Sequence, residues 1–120
     1  MESDDAFLEF GLLALREFAE AHSDRTVIAD LGAGFQCAPS AQHLCKTFQV
    51  IAIMASPAIA HERFVRHRHP RELPEFMSTE FNEHRVNVYQ SAQHTIDTDN
   101  MTAEQTTCAA LELVQGLLST

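Results

Sequence analysis

The run Val50-Ile-Ala-Ile-Met-Ala-Ser-Pro57 changes character between Ala55 and Ser56. Residues 48–55 are mainly apolar, with the β-branched Val50, Ile51 and Ile53 inside, and read as a strand. An unbroken apolar run, rather than an alternating one, suits a strand covered on both faces, as in a parallel sheet. Ser56-Pro57 has the chemistry of a helix start. Serine serves as N-cap, and proline occupies the first helical position, where its missing N–H costs nothing.

Downstream, that helix is expected to reach about residue 67, and Pro70 keeps His69 out of helical geometry, so residues 69–72 form a loop. One further helix is expected over residues 74–92, a short strand over 94–98 and a closing helix over 102–118. Thr102 is the N-cap candidate of the closing helix, and Glu104 complements the dipole in its first turn. Upstream, Phe7, Leu8, Phe10, Leu12, Leu13, Leu15 and Phe18 recur at mostly three- and four-residue steps, predicting an amphipathic helix over 4–22 with Ser3 as N-cap. Residues 25–30 read as a second buried strand, Gly32-Ala-Gly34 as a tight turn, and residues 39–45 as a short helix with Pro39 near its first turn. Alternating helices and strands imply an α/β layer architecture with parallel strands, and three strands can be named.

The 120 residues suffice for one compact domain, and 45% hydrophobic residues is a globular share. A net charge of −9 argues against a general nucleic-acid or anionic-membrane binder, since both need a basic surface. Positive charge is nevertheless concentrated, because Arg63, Arg66, Arg68, Arg71 and Arg85 are five of the eight basic residues. Cys37, Cys45 and Cys108 have no metal-ligand spacing, and an odd count suits no complete disulfide framework. They read as reduced thiols of a cytoplasmic protein. No apolar run is long enough for a membrane span, and the acidic N-terminus is unlike a secretory signal.

The order of these segments resembles the shikimate kinase family from its substrate helix onward. Residues 25–34 look like the strand that ends in the family's glycine turn, which implies substrate contacts at Gly32 and Gly34. Ala55-Ser-Pro57 with Glu62-Arg63 resembles the passage leading into the lid, and Arg66, Arg68 and Arg71 fall in a lid region of about 66–76. Arg85 with Tyr89 four residues on is similar to the arginine that grips the substrate carboxylate. Asp97-Thr-Asp99 followed by Glu104 looks like the loop near adenine. The resemblance implies a three-layer P-loop-kinase-like domain with a small parallel sheet, incomplete because the P-loop strand is missing.

The departures bear on activity. The chain contains no G-x-x-x-x-G-K-[ST], and its only lysine is Lys46. That loop's N–H groups and lysine hold the β- and γ-phosphates, and its hydroxyl binds Mg²⁺. Phosphoryl transfer rests on positioning and charge neutralisation, so most of the catalytic apparatus goes with the loop. The loop and the family's Asp-x-Asp strand would lie upstream of Met1, and Phe7-Leu8 stands where the family has Phe-Arg. Without its central strand the sheet has an unpaired edge, so a homo-oligomer or a second chain that completes the sheet is expected.

Two chemistries stay open for the basic residues. Arg63, Arg66, Arg68 and Arg71 suit an anion clamp, or equally a solvated helix end that complements the dipole. Arg85 suits bidentate carboxylate binding, or a surface pair with a neighbour such as Glu83. His61, His67 and His69 lack a completing ligand set, and Arg68 between two of them repels a cation, so no metal site is expected. Asp30 suits a water-mediated Mg²⁺ contact or a turn before Gly32. The expected protein is a degenerate or truncated shikimate-kinase-like domain that is by itself a non-catalytic binding or interaction module, with a small anionic metabolite as candidate ligand. The alternative is the substrate-and-lid part of an ATP-dependent small-metabolite kinase whose P-loop is supplied elsewhere. ATP and Mg²⁺ enter only in that second case, and no cofactor is assigned to the chain alone.

Overall fold

A computed structural model of the chain describes residues 2–31, 35–67 and 72–119. The elements in order are helix α1 (Glu2–Ala21), two 3₁₀ segments (Phe35–Cys37 and Pro39–Lys46), strand β1 (Ile51–Met54), helices α2 (Pro57–His67), α3 (Leu73–Glu80) and α4 (Glu83–Gln90), strand β2 (His94–Asp97) and helix α5 (Ala103–Leu118). Two strands and several helices make a mixed α/β chain with a small parallel sheet. Gly32, Gly34, Arg68, His69 and Arg71 lie outside the described residues. The chain divides into two compact units, residues 1–48 with 83–91, and residues 49–82 with 92–120.

In the first unit, α1 turns Leu12 inward, and Ala38, Ala41 and Leu44 of the 3₁₀ region are buried with Val88 of α4. The helix starts at Glu2, so Ser3 lies inside it rather than capping it. Gly11 lets the Phe35 ring pack close against α1, because a Cβ there would meet Cε1 and Cζ of that ring and displace it. The 3₁₀ segment Pro39–Lys46 follows Ala38, which has no side chain to cap it. Glu9 of α1 supplies the cap instead, accepting from the Ser40 backbone N–H at 2.7 Å and from its hydroxyl at 2.5 Å. These two bonds, aided by Arg16, hold the Glu9 carboxyl below its ordinary range.

In the second unit, β1 and β2 pair in parallel with Ile51 opposite His94 and Ile53 opposite Ile96. Side chains extend the pairing at the amino ends, where Gln93 Oε1 accepts from the Val50 N–H at 2.8 Å. Helix α2 starts as the sequence predicts, with Pro57 first and the Ser56 carbonyl accepting from Ala60 N–H. Buried Phe76 of α3 gathers His61, Phe64 and Phe81 around it at ring distances of 5.2, 5.3 and 6.0 Å. Helix α5 begins with a reciprocal capping box, in which Thr102 accepts from Gln105 N–H and donates its own N–H to the Gln105 side chain.

Two further expectations need correcting. Residues 25–30 form no strand, and Ile28 is 75% exposed. A strand draws its hydrogen bonds from a neighbouring strand, and the sheet of the described residues holds β1 and β2 without this segment. The single helix expected over residues 74–92 is two helices that break at Phe81 and Asn82. Phe81 has left helical geometry (φ −126°, ψ 36°), and Asn82 Nδ2 donates to the Thr79 carbonyl at 3.1 Å. A short amide that bonds a carbonyl three residues back competes with helix continuation.

Candidate functional site

The carboxyl ends of β1 and β2 carry a polar network in the second unit. Thr98, just past β2, is buried, and its hydroxyl and N–H both donate to the Met54 carbonyl at 2.8 Å. Arg63, a turn and a half into α2, donates from Nη1 to Thr98 Oγ1 at 2.8 Å and from Nη2 to the Thr98 carbonyl at 2.7 Å. Asp99 Oδ1 accepts from the Ser56 N–H at 2.6 Å, which ties the start of α2 to the loop after β2. Asp97 Oδ1 accepts from the Asp99 N–H at 3.0 Å and shapes the same loop. One arginine, one threonine and two aspartates therefore lock both strand ends together.

Beside this network lies an open pocket of about 350 Å³ lined by Ile53, Arg63, Thr98, Met101, Ala103 and Thr106. Its wall is largely apolar, and its one formal charge is the Arg63 guanidinium. The Thr106 hydroxyl is already committed to the Thr102 carbonyl at 3.0 Å. No carboxylate among the described residues lies within ion-pair distance of Arg63. A cation bonded only to neutral oxygens keeps its charge available to an anion that enters beside it. Open α/β sheets hold their ligands at the carboxyl ends of the strands.

The other basic residues have separate surroundings. Arg66 pairs with Glu62 at 2.9 Å on the exposed face of α2, so its charge is balanced locally. Arg85 belongs to the first unit, where it is only 8% exposed and donates from Nε at 3.2 Å and Nη2 at 3.0 Å to Cys37 Sγ. Next to it His84 Nε2 lies 2.8 Å from the buried Ala38 carbonyl, and since a carbonyl only accepts, Nε2 carries the proton. Arg63 and Arg85 thus serve different units. His61 stacks edge-on against Phe76, and no group of three metal-binding side chains occurs among the described residues.

Thr98, Ser40 and Glu9 were not legible as structural or site residues beforehand. Glu9 and Ser40 are 31 positions apart, and Arg63 and Thr98 are 35 apart, so no local motif links them. The one local signal is the Asp97-Thr-Asp99 run at the end of a short strand. No helix of the described residues is long and apolar enough to cross a membrane. No protein-family model, curated protein or solved structure matches the chain.

Proposed function

We propose that this chain is a non-catalytic binding module of shikimate-kinase-like design, whose working site is the pocket beside Arg63. The observation that carries this reading is the doubly anchored Arg63, held at the strand ends without a carboxylate partner among the described residues. The ligand that fits is a small anionic metabolite with an apolar body, its anion on Arg63 and its body against Ile53, Met101 and Ala103. The parallel pairing of β1 with β2, and the aspartate loop that follows, agree with the order expected of a P-loop-kinase-like sheet lacking its central strand. Absence of G-x-x-x-x-G-K-[ST] from the sequence favours binding over phosphoryl transfer.

Titration calorimetry with shikimate, inorganic phosphate and Mg-ATP tests the assignment. A small carboxylate or phosphate should bind, and Arg63→Met should abolish the heat. Mg-ATP at millimolar concentration should give none, and tight nucleotide binding would sink the non-catalytic reading.

Ile28, 75% exposed in a segment whose composition suits a strand, favours a second reading, in which another chain or segment completes the sheet. If that element carries a P-loop, the chain becomes the substrate-and-lid part of an ATP-dependent small-metabolite kinase. Phosphate transfer to shikimate after addition of a P-loop-bearing strand and helix is the outcome that would establish this reading.

A further inference from the structure

Helix α1 has two apolar faces, and only one is used within its unit. Leu12 points inward and is buried, while Phe7 and Phe10 are each 69% exposed, Phe18 53% and Leu13 47%. At 3.6 residues per turn these four, with exposed Ala14, fall on one side of the helix. The face from Phe7 to Phe18 is about 16 Å long at 1.5 Å per residue. Single exposed apolar residues are ordinary, but a contiguous row of three phenylalanines and a leucine marks an interaction surface. A groove of about 470 Å³ runs beside it, with Ala6, Phe10, Leu12 and Leu13 on its apolar side and Glu9, Arg16 and Ser40 on its polar side.

The rim of this face is acidic. Leu13 is flanked by Glu9 four residues before it, Glu17 four after and Glu20 seven after, on neighbouring turns of one side. Over its whole length α1 has six acidic residues and one basic, Arg16. Asp5, Glu17 and Glu20 belong to no ion pair among the described residues. A second copy would set this acidic rim against itself in a chain of net charge −9, and anionic lipid or nucleic acid would be repelled in the same way. The complementary occupant is apolar on one face and cationic on its flank.

We infer that α1 docks a basic amphipathic helix of another protein. Its leucine-like side chains pack between Phe7, Phe10, Leu13 and Phe18, and its lysines or arginines reach Glu9, Glu17 and Glu20. This is the helix-in-groove mode, where anchors at three- and four-residue steps give affinity and flanking charges give orientation. The surface is independent of the pocket beside Arg63, so either assignment can fail while the other stands.

The test uses the full chain and a fluorescein-labelled peptide about four helical turns long, with leucines on one face and lysines on the other. Fluorescence anisotropy should show binding that weakens about tenfold or more with Phe10→Ser, and by a similar factor with Glu17→Lys/Glu20→Lys. A peptide with glutamates in place of the lysines should bind at least about tenfold less well. Phe10 is exposed, so Phe10→Ser should keep the circular dichroism of the parent. Peptide binding indifferent to Phe10→Ser would overturn the inference, because general charge attraction then explains it. Self-association that Phe10→Ser abolishes would also overturn it, because a second copy then occupies the face.

Discussion

Arg63 and Thr98 are joined by two hydrogen bonds, one to the threonine hydroxyl and one to its carbonyl, across 35 residues of sequence. Thr98 in turn donates twice to the Met54 carbonyl, so the side chain of α2 and the ends of both strands form a single unit. Thr98→Val keeps the shape but removes the hydroxyl that both receives from Arg63 and donates to Met54. The expected cost is about 1–3 kcal/mol, the range for leaving buried polar groups unpaired. Urea denaturation at neutral pH should show a lower midpoint with unchanged slope, and an unchanged midpoint would mean that the network carries no stability.

The Glu9–Ser40 cap makes stability depend on acid in one direction. The folded Glu9 carboxyl is held below its ordinary value of 4.5 by the two Ser40 bonds first, with Arg16 a smaller contributor. A carboxylate with a depressed folded pKa contributes fully above its unfolded value and loses that contribution as pH falls through the folded one. Glu9→Gln should therefore be less stable than the parent above pH 4.5, and the gap should close in stronger acid. Denaturation midpoints across that range check this, and a gap independent of pH would refute the charge-based cap.

Gly11→Ala sets two effects against each other. Alanine favours a helix interior by about 1 kcal/mol over glycine. Its methyl, however, would meet the ring of Phe35, and overpacking of this kind costs about 1–3 kcal/mol. The ring has to move off α1 to relieve it, so the expected outcome is net destabilisation by thermal melting. Gly116→Ala has open space around the added methyl and should stabilise, which makes it the matched control.

An exposed apolar side chain outside the sheet predicts association. Residues 26–31 lie outside the helices and strands, and Ile28 stands 75% exposed. Sedimentation velocity at micromolar concentration should detect a species larger than the monomer, and Ile28→Lys should shift it towards monomer, because an inserted charge blunts edge pairing. A parent chain that stays monomeric under these conditions would count against sheet completion by a second copy.

Legibility followed the range of the forces involved. Strand β2 lies within the short strand expected over 94–98, and helix α5 follows the acidic turn and the Thr102 cap, because these signals act over a few residues. The box partner is Gln105, since a reciprocal cap needs the side chain at the third helical position, and Glu104 sits one short of it. The same reasoning failed at residues 25–30, whose composition suits a strand but whose hydrogen bonds would have to come from elsewhere in space. It failed again at Asn82, where one amide outweighs the apolar spacing on either side.

The sequence by itself determined the helical and extended periods, the start of α2 at Pro57, the cap at Thr102, the net charge of −9 and the absence of a phosphate-cradling motif. These depend on residue chemistry and on neighbours within about one turn. Only the tertiary structure decided that Arg63 would close on Thr98, that Glu9 would cap Ser40, that Arg85 would lie against Cys37, and that α1 would leave a row of phenylalanines uncovered. Each of these joins or exposes residues far apart in the chain. Their geometry follows from packing and from the satisfaction of buried polar groups, neither of which local pattern can express.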